Sequence, residues 1–166
     1  MKRFFEHPLF LFVLRLFLGL IFIYASWDKI LYPAQFAKVV YNYRIVPIPL
    51  INLFALILPW IELVSGLTLI FGIFTRGSAL IITLLLFIFT ITAAISIYRN
   101  LDILCGCFDT AGGRRVGVRL LIEDSSLMFL GIWVLLKEKG MWGLDRLREG
   151  IFDAYRKKGE HYGAKI

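Results

Sequence analysis

The two cysteines of this chain, Cys105 and Cys107, are separated by a single glycine. Two thiols this close in sequence can form a disulfide and open it again, and can therefore carry two electrons. A bridge that closes a loop of one residue removes very little chain entropy, so a purely structural bridge would add little stability here. The spacing favours a redox pair, and a structural clip is the alternative.

Composition indicates that lipid surrounds most of the protein. Hydrophobic residues make up 59% of the 166, charged residues make up 19%, and the mean hydropathy is +0.76. Soluble domains are closer to half apolar and a quarter charged. The net charge is +7, but the basic residues lie in loops and in the C-terminal tail. We therefore expect anionic lipid headgroups, and not nucleic acid, as their partner.

A membrane-spanning helix needs about 20 mostly apolar residues, and four segments meet this requirement. They are residues 8–27, 49–74, 78–98 and 119–136. The basic start of the first segment would fit a signal peptide. The long apolar run, the arginine within it and the lack of a small-x-small cleavage site favour a retained helix. The sequence predicts an all-α fold, an integral membrane four-helix bundle over residues 1–136, followed by a basic tail over residues 137–166.

Two further segments have the pattern of amphipathic helices at the membrane surface. The first begins at Pro33, a residue that fits the first turn of a helix, and its apolar residues recur at helical spacing. These are Phe36, Val39, Val40 and Tyr43. The second lies in the tail, where the apolar stripe is Leu144, Leu147, Ile151, Phe152 and Tyr155.

Lysine and arginine counts predict the orientation. With four spans, eleven of these residues lie on the side of the two termini and seven on the side of the cysteines. The richer side is expected in the cytoplasm. The prediction is a multi-pass protein of the bacterial inner membrane, with cytoplasmic termini and with Cys105 and Cys107 outside, where disulfides persist.

Two charges fall inside the first two predicted spans. Arg15 interrupts the first and Glu62 lies midway along the second, and each would cost about 2.5–3.5 kcal/mol alone in lipid. A pair between them is conceivable, and the alternative is that Arg15 extends to the headgroups. Pro59 and Gly66 flank Glu62 and would open a polar pocket beside it.

Several carboxylates fall near the outer ends of the spans, on the side of the cysteines. They are Asp28, Asp102, Glu123 and Asp124. They either pass protons to and from the thiols or are ordinary interfacial charges, balanced by Lys29, Arg99 and Arg119. The sequence leaves both possibilities open.

The cysteine loop also carries charges of both signs. Arg99, Arg114 or Arg115 would stabilise a thiolate, and Asp102 and Asp109 would oppose this. Zinc would require four ligands, whereas the remaining candidates, His7 and His161, are predicted on the opposite side of the membrane. No metal site is expected.

Four stretches of the sequence match a known family. They are LRLFLGLIFIYASWDKILYPAQFA, LPWIELVSGLTLIFG, LDILCGCF and a last span that opens with an acidic pair. Over about residues 10–136 the chain resembles the DoxX-like membrane proteins, and among them the MauE branch. The resemblance implies a four-helix membrane protein similar in architecture to vitamin K epoxide reductase and tied to disulfide or quinone chemistry. It also implies that Cys105 and Cys107 are the redox pair.

The resemblance has limits within the chain itself. The motif is CxC and not CxxC, and no second cysteine pair is present, so a thioredoxin-like protein or another cysteine-containing substrate would have to present its own thiols. The function expected is an inner-membrane thiol–disulfide oxidoreductase that exchanges electrons between such a partner and a membrane quinone. The alternative is a non-catalytic membrane subunit or maturation factor with a structural CGC disulfide.

The expected roles of individual residues follow from this function. Cys105 and Cys107 would carry the electrons. The supporting or proton-relaying residues would be Glu62, Arg15, Asp102, Asp28 and Asp124, and the quinone would be held by Phe108, Trp27 and Glu62.

Overall fold

The computed structural model describes residues 8–99, Ile103, Cys105 and residues 116–137. The predicted amphipathic helix of the tail lies outside these residues. All secondary structure in the described ranges is helical, as predicted. The helices are α1 (Pro8–Leu31), α2 (Pro33–Asn42), α3 (Ile48–Phe71), α4 (Thr75–Tyr98) and α5 (Val118–Lys137).

Three of these helices are long and apolar enough to cross a membrane. They cover Leu9–Leu31, Ile48–Phe71 and Thr75–Tyr98. Helices suit this environment because they pair every interior backbone group within one segment. α5 is not among the three, because its first half carries Arg119, Glu123 and Asp124. A fourth span at α5 stays a prediction.

Proline and glycine define the helix ends. Pro33 occupies the first turn of α2, as predicted, where its missing N–H costs nothing. Gly72 ends α3 in a left-handed conformation with φ 70°, which a residue without a Cβ adopts freely. Pro59 lies inside α3 and is buried.

The helix boundaries correct three predicted segments. α1 continues to Leu31 instead of ending at residue 27, and this brings Asp28 and Lys29 into the helix. Between residue 27 and Pro33 the sequence contains no helix-breaking residue. Pro33 itself disfavours a helical conformation at the residue that precedes it. Gly72 ends α3 three residues early, and α4 begins at Thr75 instead of residue 78.

The four long helices form a bundle. α1 packs against α3, α3 against α4, α4 against α5, and α5 against α1. The main core is entirely apolar and consists of Leu18, Phe22, Leu69, Ala79, Ile82, Leu85, Leu86 and Val134. α2 packs its apolar face, through Phe36 and Val39, on Ala55 of α3. The predicted amphipathic helix is therefore present, but these two side chains face the protein and not the lipid.

A pair of glycines brings α1 and α3 into backbone contact. A Cβ placed on Gly66 would lie 2.9 Å from the carbonyl oxygen of Gly19, and a Cβ on Gly19 would lie 2.8 Å from that of Gly66. Small residues at such a crossing allow two membrane helices to approach closely. The crossing also fixes the antiparallel register of the two helices that carry the buried charges.

Candidate functional site

A buried ion pair lies between α1 and α3. The Nζ atom of Lys29 is 2.8 Å from both Oε1 and Oε2 of Glu62, and each side chain is 2% exposed. Side chains lean toward the N-terminus of their own helix. Because α1 and α3 are antiparallel, Lys29 and Glu62 lean toward each other, and this compensates for their difference in depth.

Two aromatic rings complete the surroundings of the ammonium. The Nζ atom lies 5.2 Å from the ring centroid of Phe36 and 5.1 Å from that of Phe89. Both distances are within the range of cation–π attraction, which strengthens where water is excluded. Lys29 is thus held by groups from α2, α3 and α4.

Asp124 of α5 lies across a small cavity from Lys29 and Glu62. Its side chain is buried, and its Oδ2 atom has no hydrogen-bond partner within the part of the chain that the structure describes. A cavity of about 30 Å³ separates the three charged groups. Its lining is Ile21, Phe22, Ala25, Lys29, Glu62, Leu86, Phe89, Asp124 and Leu127. The interpretation of Asp124 and Lys29 as ordinary interfacial charges is wrong, because both are buried inside the bundle.

The cysteine loop reaches the same end of the bundle. Cys105 is disulfide-bonded, is 6% exposed, and packs against Ala93 of α4 and Leu120 of α5. The hydroxyl of Tyr43, just beyond α2, donates a hydrogen bond of 3.1 Å to the carbonyl oxygen of Cys105. Burial is the main cause that raises the pKa of Tyr43 to about 12. Tyr43 is therefore a neutral donor at physiological pH.

Arg15 is buried further from the cysteine end of the bundle than Lys29 and Glu62 are. Its Nε and Nη2 atoms donate to the carbonyl oxygen of Leu69, at 3.2 and 3.0 Å. Leu69 lies about 10 Å along α3 from Glu62 at 1.5 Å per residue. The conceivable Arg15–Glu62 pair is absent, because Glu62 is bonded to Lys29. Extension of Arg15 to the headgroups is also wrong, because the side chain is 1% exposed.

Two other predicted site residues, Trp27 and Asp28, do not line this cavity. Trp27 lies on α1 with 65% of its surface exposed, and Asp28 is partly exposed. Asp102, Cys107 and Phe108 lie outside the described residues. Of the predicted site residues, Glu62 and Asp124 thus line the same cavity. Lys29, which also lines it, and Tyr43, which bonds to Cys105, were not predicted as site residues.

A helical stripe in the sequence could have revealed Lys29. The buried positions of α1 include a stripe at spacings of three and four residues: Leu11, Arg15, Leu18, Phe22, Ala25 and Lys29. A lysine that continues an apolar stripe of this kind points into the bundle. In α5 the same spacing places Asp124 with Leu120, Gly131 and Val134.

Comparison with known proteins assigns the chain to a family. The family model described as methylamine utilisation protein MauE matches residues 7–137, a range that contains all five helices. The chain belongs to the MauE family.

Two curated relatives agree with this assignment. MauE of Paracoccus denitrificans is 30% identical over 133 residues, which are 80% of this chain and 72% of the relative. MauE of Methylorubrum extorquens is 33% identical over 114 residues, which are 68% of this chain and 61% of the relative. No solved structure matches the chain significantly. The MauE resemblance is confirmed, and the wider DoxX-like grouping and the likeness to vitamin K epoxide reductase stay predictions.

Proposed function

We propose that this MauE-family chain is a thiol–disulfide oxidoreductase of the bacterial inner membrane that serves methylamine utilisation. The observation that carries the proposal is the setting of Cys105. This residue is disulfide-bonded at one end of an apolar bundle, and its carbonyl is anchored by the hydroxyl of Tyr43. An anchored backbone holds one sulfur in place while the disulfide opens and closes.

The proposed exchange uses the dithiol of a thioredoxin-like partner. A partner thiolate attacks the sulfur of Cys107, which forms a mixed disulfide and releases the thiolate of Cys105. The second partner thiol then displaces Cys107, so that the partner is oxidised and both cysteines of this chain become thiols. Attack at Cys107 is favoured because Cys105 is buried and an attacking thiolate needs access to its target sulfur.

A membrane quinone is the proposed acceptor of the two electrons and two protons that the thiols give up. Of the predicted quinone residues, Trp27 and Glu62 do not form a pocket for it within the part of the chain that the structure describes, and Phe108 lies outside that part. Trp27 is exposed on α1, both oxygens of Glu62 are bonded to Lys29, and the adjoining cavity of about 30 Å³ is far smaller than the sites of drug-sized ligands. A quinone would therefore meet the disulfide from the lipid and not through Glu62.

Proton transfer is the proposed role of the carboxylates. Asp124 supports it best, because its carboxyl is buried and its Oδ2 atom has no hydrogen-bond partner among the described residues. Roles for Asp28, Asp102 and Arg15 stay predictions.

Trapping a mixed disulfide tests the redox function. The probe is a thioredoxin-like protein whose resolving cysteine is replaced by serine, mixed with the oxidised full-length chain in lipid nanodiscs. We expect a covalent adduct, and peptide fragmentation should place the bridge on Cys107. The Cys105→Ser/Cys107→Ser variant is the matched control and should give no adduct. Absence of an adduct with the wild-type chain would contradict the proposal.

The burial of Cys105 also favours a second candidate. Cys105 packs in an apolar cluster with Ala93 and Leu120, as a structural disulfide would, and the chain would then be a non-catalytic subunit or maturation factor. In that case Cys107→Ser lowers the melting temperature and leaves the redox state of partner thiols unchanged. Altered partner redox state in a folded Cys107→Ser variant would exclude this candidate.

A further inference from the structure

The cavity between Lys29, Glu62 and Asp124 has room for water. Its volume is about 30 Å³, and a buried water needs about 10–15 Å³. A buried water also requires two or more polar partners. The lining provides them at three points, and the other lining residues are apolar.

Hydrogen-bond capacity in this cavity remains unused. The Oδ2 atom of Asp124 is buried with no partner in the described part of the chain. Two of the three ammonium hydrogens of Lys29 are directed to Glu62, so one remains for another acceptor. A buried polar oxygen without a partner costs about 1–3 kcal/mol, and this cost favours an occupant.

The charges do not balance if every group is ionised. One ammonium then faces two carboxylates, and a buried uncompensated charge is strongly destabilising. Among the residues that the structure describes, the other groups around Asp124 do not correct this: Tyr43 is neutral, and Glu123 on α5 itself is acidic and paired with Arg119. α4 contributes only Leu86 and Phe89 to the cavity, and Arg15 does not line it.

We propose that this cavity binds one water molecule and one proton, and that the proton resides on Asp124. Glu62 remains the ionised partner of Lys29, because both of its oxygens accept hydrogen bonds from the ammonium. The protonated carboxyl of Asp124 donates to the water, which also accepts the third hydrogen of Lys29. The three groups then carry no net charge. This proposal depends on geometry and charge alone and does not require the redox function.

Infrared spectroscopy of the full-length protein at neutral pH, in a detergent without ester or acid carbonyls, tests the proposal. Surface carboxylates are ionised under these conditions, so the carbonyl stretch of a protonated carboxylic acid reports buried groups. We expect this band in the wild-type protein, and we expect it to be absent in Asp124→Asn. The neighbouring Glu123→Gln variant is the matched control and should keep the band.

Each of the other outcomes has a defined meaning. A wild-type spectrum without the band would show that all three groups are ionised and would overturn the proposal. A band that persists in Asp124→Asn and disappears in Glu62→Gln would place the proton on Glu62 and would also overturn it. Should Asp124→Asn fail to fold, Asp124→Glu should shift the band in frequency, and an unshifted band would overturn the assignment. None of these results depends on whether the disulfide exchanges electrons.

Discussion

The ammonium of Lys29 is buried among a carboxylate and two aromatic rings, and these protein groups stabilise its charge. Removal of one member of such a pair leaves the other charge buried without compensation. The stability of the site therefore depends on the ion pair between Lys29 and Glu62 more than on either residue alone.

Replacement of Lys29 should show this directly. We expect Lys29→Met to lower the free energy of unfolding by about 3–5 kcal/mol, measured by chemical denaturation in detergent. Adding Glu62→Leu should restore much of the loss, because both charges are then absent. Lys38→Met, at an exposed position of α2, is the control. Equal effects of Lys29→Met and Lys38→Met would contradict this account.

The raised pKa of Tyr43 predicts that the stability of the protein depends on pH. Its pKa is 10.0 without perturbation and about 12 in the folded protein. The unfolded chain therefore loses the tyrosine proton first, so this contribution to stability is complete below pH 10 and is lost as pH rises through 12. The stability difference between wild type and Tyr43→Phe should shrink over this interval in denaturation at several pH values.

The exposed Tyr41 provides the comparison for Tyr43. Tyr41→Phe should leave the alkaline profile unchanged, since its hydroxyl has no equivalent buried setting. Below pH 10, Tyr43→Phe should be less stable than wild type by about 0.5–1.5 kcal/mol, the usual net value of one hydrogen bond. Identical profiles for the two variants would show that the bond to Cys105 contributes nothing.

At the level of helices, the contact between α1 and α3 depends on glycine. We expect Gly66→Ala to destabilise the protein by about 1–3 kcal/mol, the usual cost of overpacking, because the new Cβ would lie 2.9 Å from the Gly19 carbonyl. Gly77→Ala adds a Cβ whose nearest neighbour is at 3.9 Å. That variant should be neutral or stabilising, since alanine favours helix. Thermal unfolding in detergent compares the two, and a neutral Gly66→Ala would contradict the close packing.

Much of the fold was predictable from the apolar runs and from proline. The three most apolar helices overlap the predicted spans, with ends that differ by up to four residues, and α2 starts at Pro33 as predicted. The position of Lys29 was missed because the first segment was ended at residue 27, before the lysine. Its pairing with Glu62 could not be predicted, because it depends on the register that the two glycines impose. Tyr43 was missed for a similar reason, since its contact with Cys105 joins residues far apart in sequence.

At the level of the whole molecule, the site lies at the end of the bundle where α1 and α4 end and α3 and α5 begin. Cys105 is near Leu120, two residues into α5, and α1 begins and α5 ends at the opposite end. If the charge distribution sets the orientation, the disulfide faces the outside and the termini face the cytoplasm.

A membrane-impermeant thiol reagent tests this orientation. Applied to intact cells after mild reduction, it should label Cys105 or Cys107, the chain's only cysteines, because thiols on the outer face are accessible. The Cys105→Ser/Cys107→Ser variant corrects for background labelling. Labelling that requires a breached inner membrane would reverse the orientation and assign the disulfide to the reducing cytoplasm.

The burial of Lys29 and Arg15 in one helix also bears on how the protein is made. α1 leaves the ribosome with two cations, whereas Glu62 and the carbonyl of Leu69 belong to α3 and are synthesised later. A lone α1 in lipid would bear the cost of both charges. We therefore expect α1 to remain at the translocon until α3 emerges, so that the two helices enter the bilayer together as a hairpin.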